Sequence, residues 1–158
     1  TNDNNIHSPI EALDVETSVI SYTGVAPVMK TGGSYKTFTA NLYENGELVS
    51  RKPYWHIEYY NNDTLICSVG FIYVNDELVC DNSNSEFIIN KNKIIYEKDN
   101  EQLFGIQYVY DTEKQMDLKF KCLQILNMMG GSIVISVYDD PTKIQTPAAT
   151  LTVEVESL

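Results

Sequence analysis

Residues 54–60 read YWHIEYY, a stretch that holds the chain's only tryptophan and one of its two histidines. Whether it is the lip of a site or the middle of a strand decides the fold. Successive strand side chains point to opposite faces, so Trp55, Ile57 and Tyr59 share one face and His56, Glu58 and Tyr60 the other. That division predicts a strand with Trp55 turned to the core and His56 turned outward. Pro53 lacks an amide proton and restricts Lys52, which places the start of regular pairing at Tyr54. Asn61, Asn62 and Asp63 close the strand.

The same period runs through the flanking sequence. In SYKTFTANLY, Phe38, Ala40 and Leu42 fall on one face, with Lys36, Thr37, Thr39 and Asn41 mostly on the other. Asn45-Gly46 follows as the strongest hairpin signal, since both residues tolerate positive φ. TLICSVGFIYV is a nearly continuous apolar strand that turns at Asn75-Asp76 into ELVC. SEFIIN and KIIYE read as short strands about a turn at Asn90 to Asn92, and LFGIQYVY as another. In EKQMDLKFKCLQILNMM, strand and helical spacings overlap; the reading is a strand to about Gln124, then a corner or single helical turn at Gly130-Gly131. SIVISVY and TLTVEVE complete the series. Seven or more short strands with close turns and few helical signals predict an all-β antiparallel sandwich.

Residues 1–14 have no sustained period and read as an arm or linker, leaving 15–158 as one sandwich domain. Because the sequence starts at Thr1 and not at methionine, it is expected to be a fragment of a longer polypeptide.

Eleven basic and 22 acidic residues give a net charge of −11, which repels nucleic-acid backbones and anionic lipid. No apolar run approaches eighteen residues, so neither a nucleic-acid partner nor membrane insertion is expected. With the turn at Asn75-Asp76, Phe71 and not Cys67 lies opposite Cys80. The four-residue offset, roughly 13 Å, is too long for a disulfide. Cys67, Cys80 and Cys122 are therefore read as thiols filling apolar space, and without a CxxC pair no zinc site is expected; no residue is assigned to any other metal.

Four pieces taken together resemble the bacterial immunoglobulin-like (Big-type) modules of phage structural proteins and bacterial surface proteins. They are TGGSYKTFTANLYENGELV (31–49), the tryptophan of PYWHIEY, NMMGGSIVISVYDD (127–140) and ATLTVEVESL (149–158). The resemblance spans residues 15–50 and 117–158. Between them, residues 75–114 are longer than such modules usually are and read as an insertion or as extra strands. The resemblance implies an immunoglobulin-like sandwich in a virion protein, tail or head-associated, contacting other virion proteins or the host cell surface. An oligomer would form through the parent protein. The alternative is a bacterial cell-surface adhesin module, located outside the cell, that binds carbohydrate or protein. Neither setting implies a cofactor or catalytic residues.

Candidate chemistry is sparse. His7 lies in the arm, which leaves His56 as the only plausible base, and a hydrolase needs a nucleophile and an orienting group beside it. No enzyme is expected. Tyrosine rings offer contact area at small entropic cost. The candidate contact surface is accordingly Tyr54, His56, Tyr60, Tyr108 and Tyr110.

Overall fold

The computed structural model describes residues 17–32, 36–48, 53–74, 77–80, 86–91, 93–108, 119–125, 130–138 and 146–156. Among these residues the regular structure is all strand. One six-stranded sheet runs in the order β1 (Val19–Tyr22), β3 (Lys36–Asn41), β12 (Lys119–Ile125), β11 (Glu101–Tyr108), β10 (Lys93–Lys98) and β9 (Phe87–Asn90). The second runs β2 (Val28–Lys30), β14 (Ala149–Glu156), β13 (Gly131–Tyr138), β6 (Tyr54–Asn61), β7 (Thr64–Val74) and β8 (Glu77–Cys80). β4 (Tyr43–Glu44) and β5 (Glu47–Leu48) form a separate small hairpin. All pairings are antiparallel except β2 with β14.

The two large sheets share one core, as in a β-sandwich. Ile20, Phe38, Ala40, Ile94, Tyr96, Phe104 and Ile106 come from the first sheet. Trp55, Ile57, Tyr59, Val69, Phe71, Ile133, Ile135, Val137 and Val153 come from the second. Aromatic rings cross the middle: Tyr59 meets Phe104 edge-on at 6.4 Å, Phe104 lies 5.5 Å from Tyr96, and Tyr96 lies 5.1 Å from Phe87.

Local chemistry sets the hairpins. Asn45 and Gly46, Asn62 and Asp63, and Asp99 and Asn100 all have positive φ, the backbone of a two-residue turn matching strand twist. Asparagine and aspartate suit it because their short side chains tolerate the left-handed region. β7 and β8 pair in a register that sets Val74 opposite Glu77 and Phe71 opposite Cys80. β6 and β7 shift register between Tyr59, opposite Cys67, and Tyr60, opposite Leu65. Ile66 is the extra residue of that bulge.

Residues from the expected enlarged middle occupy both sheets: β8 ends the second, and β9 to β11 extend the first.

The first strand changes sheets. β1 pairs with β3, the chain turns through residues 23–27, and β2 then lies beside β14. Here one expectation is corrected. Lys36 was grouped with the outward polar residues, yet it has the parity of Phe38 and is only 9% exposed. Its Nζ donates to the carbonyl oxygens of Thr23 at 2.6 Å and Ala26 at 3.0 Å, and lies 5.3 Å from the centre of the Tyr22 ring. The ammonium replaces its lost hydration with carbonyls and an aromatic face. A side chain at Gly24, where φ is 94°, would meet this Nζ at 2.8 Å. Lys36→Met strips the crossover of both bonds, with an expected loss of about 1.5–3 kcal/mol in chemical denaturation. A change within about 0.5 kcal/mol, the range of an ordinary surface substitution, would show that the lysine does not hold the crossover.

Candidate functional site

The outer face of the second sheet centres on β6. Tyr54, His56, Glu58 and Tyr60 stand opposite Tyr138, Ser136, Val134 and Ser132 of β13. On the other side, His56 faces Gly70 and Glu58 faces Ser68 of β7. His56, Glu58, Tyr60 and Tyr138 are each half-buried. The Tyr60 hydroxyl donates to Glu58 Oε2 at 3.2 Å. Burial, followed by the Glu58 charge, raises the Tyr60 and Tyr138 phenols above their usual range, so both remain protonated donors near neutrality.

The predicted contact residues do not make one surface. His56 and Tyr60 share this face. Tyr54 has their parity but is 4% exposed, its ring 6.0 Å from that of Tyr138; neighbouring groups cover it, so it is not an open contact. Tyr108 belongs to β11, in the other sheet, paired with Phe120. Tyr110 lies outside the described residues. Glu58 and Tyr138 were missed, although the alternation of SIVISVY already put Tyr138 on the face of Ser136 and Val134.

Cross-strand pairing brings Ser136 beside His56, but Ser136 Oγ shares a hydrogen bond with Thr150 Oγ1 at 3.3 Å. Among the described residues His56 has no hydrogen bond to a hydroxyl or a carboxylate. The face offers a phenol–carboxylate pair, hydroxyls and an imidazole, all suited to hydrogen bonding with a partner. Among the described residues no three His, Cys, Asp or Glu side chains gather as metal ligands.

On the inner side, Tyr59 donates to the Gly130 carbonyl oxygen at 3.2 Å. The Tyr96 hydroxyl is fully buried and has no hydrogen-bond partner among the described residues. Burial, then the adjoining Cys67 and Glu86, raise its pKa. Burial is also the main cause that pushes the Cys67 thiol up to about 12. Because the fold accepts only the neutral thiol, its contribution is whole below about pH 9, the unfolded value, and is lost as pH climbs towards about 12. Cys67 should therefore resist iodoacetamide at pH 8 until denaturant is added, and the denaturation midpoint should fall between pH 8 and pH 10.5. Rapid native alkylation of Cys67, located by peptide mapping, would contradict this assignment.

The fold and this face define an all-β, sandwich-like protein with a polar, aromatic outer sheet. No family model, curated protein or solved structure matches the chain.

Proposed function

We propose that this chain is an immunoglobulin-like module of a phage virion protein, tail or head-associated. It works by rigid presentation of loops and sheet faces to other virion proteins or to the host surface, without turnover. Strand order is the observation that supports the immunoglobulin-like part of this reading. In immunoglobulin domains one sheet takes strands in the order A, B, E, D and the other G, F, C, which variable-type domains extend by C′ and C″. Here β1, β3, β12 and β11 follow the first order, and β14, β13, β6, β7 and β8 the second. β2 lies beside β14, as the second half of a divided first strand. Trp55 stands on β6, in the place of strand C, where such domains carry their buried tryptophan.

The virion setting draws on the resemblance of the four quoted stretches. Mass spectrometry of purified parent particles tests it: peptides of this chain should appear in stoichiometric amount with the tail or head proteins. Their absence from particles, with the parent protein recovered from bacterial envelopes, would favour the adhesin. The Tyr60–Glu58 pair on the outer face supports that second reading, for which saturable polysaccharide binding lost in Tyr60→Ala is the expected result.

A further inference from the structure

Among the described residues β9 has a free edge, and what that edge can do goes beyond the proposed function and stands without it. β9 ends its sheet, with β10 as its partner on one side. It has no proline, bulge or charged side chain within the strand, the usual devices that keep an edge from pairing. Phe87 is buried, whereas Ile88 and Ile89 are each 43% exposed. β1, at the opposite end of the same sheet, shows one exposed large apolar side chain, Val19.

The direction of the backbone groups follows from the β9–β10 register. Asn90 pairs with Lys93, Ile88 with Ile95, and the Glu97 amide donates to the Glu86 carbonyl oxygen at 2.8 Å. Hydrogen-bonded and non-hydrogen-bonded pairs alternate along an antiparallel ladder. Glu86, Ile88 and Asn90 therefore turn their amides and carbonyls towards β10. Phe87 and Ile89 turn theirs to the open edge.

We propose that this edge pairs with β9 of a second copy, antiparallel about a two-fold axis normal to the sheet, with Ile88 opposite Ile88. Such an axis keeps each sheet face on the same side, so opposed residues must have like parity. Ile88 then meets its own copy on the outer face, Phe87 meets Ile89 on the inner face, and Glu86 meets Asn90. Phe87 and Ile89 exchange four backbone hydrogen bonds across the axis. The neighbouring symmetric register, with Ile89 opposite Ile89, sets Phe87 against Lys91 and Ile88 against Asn90. It loses both apolar matches, and cross-strand pairs of like character stabilise a ladder. The occupant is a second copy because the apolar positions, the polar ends and the free amides of this one strand are complementary to themselves. A four-residue strand pair covers far less than the roughly 1,000 Å² of a lasting interface. The contact is therefore weak in dilute solution and takes effect where copies are held together.

Disulfide trapping reads the register directly. In Ile88→Cys the two introduced residues form a non-hydrogen-bonded pair with Cα atoms about 4.5 Å apart, within disulfide reach. In Ile89→Cys the same atoms are separated by roughly 8 Å, beyond that reach. Mild oxidation of the full chain should give a covalent dimer, mapped to position 88, on the order of tenfold faster for Ile88→Cys than for Ile89→Cys. The unsubstituted chain, carrying Cys67, Cys80 and Cys122, is the control. Hydrogen exchange on that unsubstituted chain needs no variant. With rising protein concentration the Phe87 and Ile89 amides should gain protection, while the Ile88 amide, already bonded within the sheet, should not. Equal trapping at both positions, or no trapping at position 88 in a folded variant, would overturn the proposal. So would edge amides indifferent to concentration.

Discussion

Replacing Trp55 with alanine should remove about 3–5 kcal/mol of stability, the combined cost of lost burial and of the cavity left behind. The indole is fully buried, with Phe71 opposite on β7 and Val137 opposite on β13. It thus sits where three strands of the second sheet present side chains to the other sheet, and strands fixed by neighbours on both sides cannot readily collapse into the space. A domain of this kind has about 5–15 kcal/mol in total, so the variant should be marginal or unfolded. Since the substitution removes the only tryptophan, far-UV circular dichroism in urea is the suitable probe. His56→Ala, one position along and on the opposite face, should stay within about 1 kcal/mol as a half-exposed substitution. If both variants lost the same small amount, the division of YWHIEYY into two faces would be wrong.

Gly131→Ala is the second large effect, and its cause is not burial. Gly131 has φ of 101°, where an L side chain is strained. An added Cβ would press into the Tyr60 carbonyl oxygen and come within 2.9 Å of Tyr59 Cε1. The neighbouring Gly130 accepts the Tyr59 hydroxyl at 3.2 Å, so retreat of the ring would also disturb that bond. Backbone strain of about 1–3 kcal/mol and overpacking of about 1–3 kcal/mol give an expected loss of roughly 2–5 kcal/mol in chemical denaturation. A loss below about 1 kcal/mol would mean that the start of β13 can move away from β6.

The period of two made faces legible and partners illegible. Alternation alone turns Trp55 and Ile57 to the core and sets Tyr59 on their face, and the structure buries all three. The β7–β8 register was equally readable, since a turn expected at Asn75-Asp76 sets which residues meet, and the structure pairs Phe71 with Cys80. Lys36 was misplaced because its charge outweighed its parity with Phe38; the carbonyls that receive its Nζ come from the crossover, ten and thirteen residues away. Tyr108 was grouped with Tyr60 because alternation cannot tell which sheet a strand joins. That choice depends on long-range pairing of β11 with β12 and β10, which no local pattern encodes. The Tyr60–Glu58 bond follows from i, i+2 placement on one strand and could have been read from the sequence.

The parallel pairing of β2 with β14 also determines how the fold would respond to a pull. Val28 lies beside Glu154 and Lys30 beside Glu156, so a pull entering ahead of β2 and leaving after β14 draws the two strands past each other lengthwise. Their bridging hydrogen bonds, among them Glu154 amide to Pro27 oxygen at 2.9 Å and Thr31 amide to Glu156 oxygen at 3.1 Å, then bear the load together in shear. An antiparallel pair pulled from one end would instead open like a zip, one bond at a time. Rupture by force follows the barrier to unfolding and not the equilibrium margin. Pulled at those two ends, this short clamp should therefore resist force by more than the equilibrium stability of the fold alone would suggest.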